Sequence, residues 1–244
     1  MIDTMKRSFL KALSWRFIAA LLLAAITYVI TDDLRAVTYI TIAYHGIQVV
    51  LYYVHERFWG MIKWGKTSGL FIQMTGMSGA GKSTLAAEVA KRLRKRGVQV
   101  EVLDGDEYRS SLCSDLGFSR EDRNTNIRRL GFVSKVLARN NVVSIIAAIN
   151  PYRDVREELE KAHGNVKTVY VECDIDTLKA RDTKGLYHRA MLPDDHPNKV
   201  YNFTGISDPF EAPTAPDLRL QTHIKPQEEC ARNLEKFILD AISR

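Results

Sequence analysis

Cysteine is scarce in this chain of 244 residues. Cys113, Cys173 and Cys230 are widely spaced and form no C-x-x-C pattern. That excludes a disulfide framework, leaves no zinc signature and fits a reducing compartment. Repeats of 20 to 50 residues and low-complexity tracts are also lacking, which excludes solenoids and long disordered linkers. Charge of one sign is only slightly in excess, 35 Lys/Arg against 29 Asp/Glu, and no basic run is interleaved with aromatics. Nucleic acid is therefore a poor partner; anionic ligands and a membrane surface are better ones.

That small excess is unevenly placed. Residues 1–66 carry 8 Lys/Arg against 4 Asp/Glu, whereas 67–244 carry 27 against 25. Composition breaks at the same point, which predicts a two-helix membrane domain over 1–66 and a second domain over 67–244. Phe17 to Ile30 lacks charge, and Ala36 to Val54 has only His45 and Gln48 as strongly polar members. At 14 and 19 residues they fall near or short of the roughly 20 that a span needs. Lys6, Arg7, Lys11 and Arg16 precede the pair, Arg57, Lys63 and Lys66 follow it, and Asp32, Asp33 and Arg35 sit in the connection. This asymmetry predicts both ends on the cytoplasmic side. Trp15, Tyr52, Tyr53, Trp59 and Trp64 gather toward those ends, where amphipathic rings suit the headgroup layer. A signal peptide is the first rival, but no A-x-A-like site follows Ile30. Interfacial helices that recruit a partner are the second. His45 reads as a satisfied packing residue rather than a ligand.

The segment Gly76-Met77-Ser78-Gly79-Ala80-Gly81-Lys82-Ser83-Thr84 satisfies G-x-x-x-x-G-K-[ST] directly after the apolar run Leu70 to Met74. Glycines let backbone N–H groups converge on phosphates, Lys82 reaches the far phosphates, and the Ser83 hydroxyl can ligate Mg²⁺. ATP or GTP binding follows. Ser83 to Arg96 and Asp122 to Asn140 read as helices and Gln227 to Ile242 as a closing one. Val98 to Leu103, Val142 to Ala148, Thr168 to Glu172 and Leu218 to Gln221 read as strands. Alternating strands and helices predict an α/β fold, a P-loop kinase whose parallel sheet is flanked by helices and preceded by the membrane hairpin. Asp104-Gly105-Asp106 and Asn150-Pro151-Tyr152-Arg153 fall at strand ends, where ligands gather. Asp106 is the candidate to accept a hydroxyl proton or orient metal waters; the competing reading is that Asp106 caps a short helix and Asp104 turns the chain. Arg109, Arg120, Arg123, Arg128 and Arg129 crowd the next stretch, as a doubly anionic ligand requires; Arg120 is the one expected to be an ordinary solvated charge.

These blocks, with Leu116-Gly117-Phe118-Ser119, Asn126-Ile127-Arg128-Arg129, Arg181-Asp182, Lys184-Gly185-Leu186-Tyr187, Phe203-Thr204-Gly205 and Asp208 to Pro213, resemble the adenylylsulfate kinase family over residues 69 to 222. The hairpin resembles a small, uncharacterised bacterial family of two-helix membrane domains. The kinase resemblance implies phosphorylation of the ribose 3'-hydroxyl of adenosine 5'-phosphosulfate by MgATP and leans toward a homodimer; the hairpin would place that activity at the membrane. It implies that Phe118 and Phe203 sandwich the acceptor's adenine, and that Arg109, Arg123 and Asn126 hold its ribose and phosphosulfate. Asp104, Ile149, Asn150 and Pro151 complete that wall, with Lys184 and Leu186 on a lid. Arg181, Ala212 and Pro213 would flank the adenine of ATP, and Ser83 and Asp106 would serve Mg²⁺. Three departures stand out: Glu107 for asparagine, Thr125 for glutamate and Asn150 for serine. A phosphoserine intermediate is proposed at that serine in the family; Asn150 has no hydroxyl, so direct in-line transfer is expected. The acidic segment Met191 to Tyr201 has no assigned role. Another small-molecule P-loop kinase, or a nucleotide-binding membrane adaptor without turnover, are the rival readings.

Overall fold

The structure, a computed structural model, describes residues 5–61, 68–182 and 184–243. Lys63, Trp64 and Lys66 lie outside the described residues, as do the side chains of Lys6, Arg7, Lys11 and Trp59. The chain divides into two compact units, Met1–Gly65 and Lys66–Arg244.

In the first unit, α1 (Met5–Thr31) and α2 (Leu34–Met61) are separated only by Asp32 and Asp33. Asp33 ends one helix and starts the next, its Oδ1 accepting from Arg35 N at 2.8 Å. The helices run 27 and 28 residues, about 40 Å each at 1.5 Å per residue, so the apolar stretches continue into helical flanks. Ser14–Thr31 and Val37–Phe58 are both long and apolar enough to cross a membrane. Phe17, Leu22, Val29, Ile42 and Val50 all face outward, an arrangement that water penalises and lipid does not. Two hydroxyls within the spans are satisfied by their own helix: Thr27 Oγ1 donates to Leu23 O and Thr38 Oγ1 to Leu34 O, at 2.8 and 2.9 Å. His45 does pack, edge-on to Tyr44 at 5.3 Å, but it is not satisfied. Its buried Nε2, like Thr41 Oγ1 one turn earlier, has no hydrogen-bond partner among the described residues.

The second unit is a five-stranded sheet in the order β2-β3-β1-β4-β5, parallel throughout. The strands are β1 (Leu70–Thr75), β2 (Val100–Asp104), β3 (Val143–Ala147), β4 (Val166–Glu172) and β5 (Leu218–Gln221). Helices α3 (Lys82–Lys95) and α9 (Gln227–Ile242) cover one face, α5 (Arg120–Arg139) and α6 (Arg153–His163) the other. Short helices α4 (Gly105–Arg109), α7 (Ile175–Arg181) and α8 (Leu186–Ala190) complete it.

Strand β1 is buried along its whole length, and its alternation divides the core. Leu70, Ile72 and Met74 join Leu85, Val89 and Leu93 of α3 and Leu234 and Ile238 of α9. Phe71 joins Ile127 and Leu130 of α5 and Val155 and Leu159 of α6. Each such buried side chain contributes about 1.5 to 3 kcal/mol relative to exposure. Gln73 and Thr75 take the same face as Phe71, so the middle of a central strand carries polar groups that must be paired. Gln73 is paired with Thr168 of the neighbouring strand and Glu160 of α6, and Thr75, the last residue of β1, with Ile149 O and Asn150 O at the strand ends where the site lies.

The expected helices and strands are present, most shifted by one or two residues and β5 and α9 at the expected bounds. Helices α6, α7 and α8 had no expectation, and α4 appeared only in the competing reading of Asp106. Within Met191 to Tyr201 the segment folds on itself, Lys199 Nζ reaching Leu192 O (2.6 Å) and Asp194 (2.7 Å) and Tyr201 OH reaching Asp194 O (2.6 Å).

Candidate active site

The chain leaves β1 at Gly76 and re-enters helix at Lys82, and the two flanking glycines are demanded by geometry. A Cβ on Gly76 would stand 2.3 Å from Val171 O of β4. Gly81, at the N-cap of α3, has φ of 97°, a left-handed conformation that suits glycine. Lys82 is buried and turns its Nζ back onto the loop, donating to Gly76 O at 2.8 Å and Met77 O at 2.7 Å. Burial pushes its ammonium down to about 8; Asp106 opposes that shift and Lys184 adds to it.

This loop forms one wall of a cavity of about 290 Å³ at the carboxyl ends of β1, β2 and β3. Ser78, Gly79, Gly81, Lys82, Ser83 and Thr84 line one side; Asp104, Asp106, Arg109, Phe118, Arg123, Asn126, Ile149, Asn150, Pro151 and Lys184 line the rest. Most of the residues singled out in the sequence therefore meet at one place. Gly105 joins β2 to α4 with Asp104 as the cap, Oδ1 accepting from Asp106 N at 2.9 Å. Capping thus belongs to Asp104 and not to Asp106. The Asp106 carboxylate is exposed and is held by Lys184 Nζ from across the cavity. The Ser83 hydroxyl, in the exposed first turn of α3, shares the cavity with both carboxylates. An all-oxygen set of this kind suits a hard cation such as Mg²⁺.

The opposite wall is built on α5. Ser119 caps it, Oγ accepting from Asp122 N at 3.1 Å and donating to Asp122 Oδ2 at 2.7 Å, which fixes the loop carrying Phe118. The Phe118 ring is 58% exposed with Arg109 at 4.6 Å and Arg123 at 5.5 Å from its centroid. Both guanidiniums are tied to backbone carbonyls: Arg109 to Gly117 O (2.7 Å), Arg123 to Phe118 O (3.1 Å) and Asn202 O (2.7 Å). Neither has a carboxylate within 4.0 Å among the described residues. Burial, then the like charge of Arg123, lower the Arg109 pKa, more than the nearby carboxylates Asp106 and Asp122 raise it. Arg120, Arg128 and Arg129 instead pair with Asp154 (3.2 Å), Glu158 (2.9 Å) and Asp115 (2.5 Å), so they serve the fold.

Asn150 has φ of 46°, which asparagine tolerates, and its side chain turns inward so that Nδ2 donates to Gln73 Oε1 at 3.2 Å. Asn126 and Asn150 each keep a buried Oδ1 without a partner among the described residues.

Several anticipated residues sit outside the cavity wall. Gly76, Met77 and Ala80 form the loop without lining it. Phe203 is buried, edge-on to Tyr187 at 4.9 Å, because the core of α7 and α8 takes its ring; it does not face Phe118 across the cavity. Leu186 packs against the same core. Arg181 reaches Thr222 O at 2.9 Å, and Thr222 Oγ1 reaches Ala80 O at 2.9 Å, which places Arg181 behind the phosphate loop. Ala212 and Pro213 follow Glu211, whose N donates to Pro151 O at 2.9 Å, beside the Asn150 turn. The three cysteines are free and buried. Ligand atoms of Cys173, Asp174 and His223 lie within 4.8 Å of one another. The protein's own groups already engage that set: Asp174 caps α7 through Thr177 N (2.7 Å), and Arg181 Nη1 points at Cys173 Sγ (3.7 Å). Arg156 and Gln73 are contributors that the sequence reading missed.

A parallel sheet with a phosphate loop after its central strand, a buried lysine on that loop and carboxylates at the neighbouring strand end define a P-loop kinase. Residues 68–221 match the family described as Adenylylsulphate kinase, and residues 9–60 match one described as Predicted membrane protein (DUF2061). The chain belongs to the adenylylsulphate kinase family and is an enzyme of that kind, with a second, membrane-type family match at its N-terminal side. An adenylyl-sulfate kinase of Chloroflexus aurantiacus is 47% identical over 167 residues, 68% of this chain and 87% of that protein. A probable bifunctional SAT/APS kinase 2 of Sorangium cellulosum is 48% identical over 162 residues, 66% of this chain but only 27% of that longer protein. The structure of the Mycobacterium tuberculosis APS kinase CysC in complex with AMPPNP and APS aligns with a TM-score of 0.65 at 33% identity, covering 71% of this chain and 99% of that one.

Proposed function

We propose that the protein transfers the γ-phosphoryl group of ATP to the 3'-hydroxyl of adenosine 5'-phosphosulfate, giving ADP and 3'-phosphoadenylyl sulfate. The observation that carries this reading is the pairing, in one cavity, of a buried phosphate-loop lysine with two carboxylate-free arginines around an exposed phenylalanine. The names of the relatives and the ligands of the solved relative support the same chemistry.

In this reading residues 76–84 cradle the ATP phosphates, and Lys82 leaves the loop carbonyls for the γ-phosphate. Ser83 and Asp106 would hold Mg²⁺, which would neutralise charge on the phosphates when bound. Phe118 stacks on the acceptor's adenine, as flat bases favour. Arg109, Arg123 and Asn126 take its anionic and ribose side, and Asp104, Ile149, Asn150 and Pro151 form the wall behind. Phe203 would have to leave its core position to complete a sandwich. Lys184 gives up Asp106 to the incoming phosphates, and Asp106 then accepts the 3'-hydroxyl proton; Leu186 moves with that lid. Arg181, Ala212 and Pro213 flank the ATP base. Because Asn150 offers no hydroxyl, transfer is direct and in line.

Residues 1–66 act as a two-helix membrane domain and 67–244 as the kinase domain, held on the cytoplasmic side as the basic flanks favour. The family likeness favours a homodimer. The test is to mix purified protein with MgATP and adenosine 5'-phosphosulfate and follow ADP. Acceptor-dependent ADP release that vanishes in Lys82→Ala supports the proposal, and release no greater than that control sinks it.

A further inference from the structure

Beyond the residues that face the cavity, the wall that carries Ile149, Asn150 and Pro151 is held from behind by a buried cation. Arg156, on the first turns of α6, is 3% exposed. Its Nη1 donates to Asn150 O at 2.7 Å and its Nη2 donates to Glu211 O. No carboxylate stands within 4.0 Å of it among the described residues, and burial lowers its pKa. A buried guanidinium bonded only to carbonyls is costly to keep for packing alone, since an apolar side chain of similar volume would fill the space without desolvating a charge.

What it holds is well defined. Asn150 O accepts from both Arg156 and Thr75 Oγ1 (2.9 Å), so both of its lone pairs are used. The Asn150 amide is oriented by a chain of forced choices. Gln73 Nε2 faces three acceptors, Arg156 O (3.3 Å), Glu160 Oε1 (3.1 Å) and Thr168 Oγ1 (2.9 Å), so Gln73 Oε1 must face Asn150 Nδ2. Backbone and side chain of Asn150, in its left-handed conformation, are thereby fixed at once. Through Glu211 O the same guanidinium ties this turn to the 211–213 segment, which also bonds Pro151 O and Arg153 N (2.7 Å).

We propose that Arg156 is a positioning residue for the acceptor: its planar fork joins two loops and sets the position of the Ile149-Asn150-Pro151 wall against which the acceptor nucleotide lies. It touches neither substrate. The proposal rests on the acceptor reading given above. Lysine in its place keeps the charge but reaches one carbonyl only.

The experiment measures kcat and KM for adenosine 5'-phosphosulfate, and separately the Kd for ATP, in wild type, Arg156→Lys and Thr75→Val. Expected for Arg156→Lys is a rise in acceptor KM of about 10- to 100-fold, the size of one lost hydrogen bond to a charged group, with a smaller rise in ATP Kd passed on through Glu211 O to the 211–213 segment. Thr75→Val, which removes the weaker tie to the same carbonyl, raises acceptor KM in the same direction by about 3- to 10-fold. Acceptor KM unchanged in folded Arg156→Lys, or ATP affinity falling in parallel with it, overturns the proposal. Should Arg156→Lys not fold, Thr75→Val decides on the same readouts, and unchanged acceptor KM there overturns it. A wild type inactive on this acceptor would instead remove the acceptor reading.

Discussion

Binding of ATP should draw a proton from solution at alkaline pH, because Lys82 is held partly neutral in the free protein. Its ammonium is buried and its pKa falls from 10.5 to about 8. Each unit is worth about 1.4 kcal/mol, so the free site carries roughly 3 kcal/mol of electrostatic cost that phosphate charge removes on binding. The sign follows directly. A full unit or more below its pKa of about 8 the lysine is already charged and binding takes up almost nothing, about 0.1 proton at pH 7. At pH 8.5 a large share of the free protein has neutral Lys82, and returning it to the charged form takes up a corresponding fraction of a proton. ATP phosphates, with a last pKa near 6, contribute little there. The assay is titration calorimetry with a non-hydrolysable ATP analogue at both pH values, in two buffers of different ionisation enthalpy. The apparent affinity should fall about tenfold per pH unit above 8, and Lys82→Met should lose the uptake. Heats independent of buffer at pH 8.5, or proton release, would refute the reasoning.

Phe118→Ala removes one stacking face worth about 1 to 3 kcal/mol, so acceptor KM should rise about 5- to 150-fold with ATP Kd unchanged; competition binding of each nucleotide checks this. Gly76→Ala places a methyl 2.3 Å from Val171 O, so β1 or the phosphate loop must shift; a thermal melt should show a loss of several degrees and calorimetry a loss of ATP binding. In vesicles whose outer face is the external one, the kinase unit should resist added protease until detergent is supplied; digestion without detergent would overturn the orientation.

Where a segment was mostly apolar or cleanly amphipathic, the sequence was sufficient. Strands β1 and β3 read as buried runs because every position is buried, and Pro226 before Gln227 marks the start of α9. Helix α6 escaped notice because eight of its residues are charged or histidine and only Val155, Arg156 and Leu159 are buried. Yet those three share one face by their spacing, and that signal could have flagged Arg156 as an inward arginine. Phe118 and Phe203 look alike as motifs, but one stands under two arginines and the other is taken by the Tyr187 core; only packing separates them. The long-range ties of Gln73 to Glu160 and of Arg156 to Glu211 link residues 55 to 87 positions apart, which no local pattern encodes.

The central claim is that the acceptor hydroxyl is the ribose 3'-hydroxyl of adenosine 5'-phosphosulfate. Phosphorus NMR with mass spectrometry of the product formed from MgATP and that acceptor tests it most directly. The expected result is one new phosphomonoester resonance, coupled to the ribose H3' proton, on a nucleotide that retains its phosphosulfate. A product phosphorylated elsewhere, or ADP released with the acceptor unchanged, would contradict it.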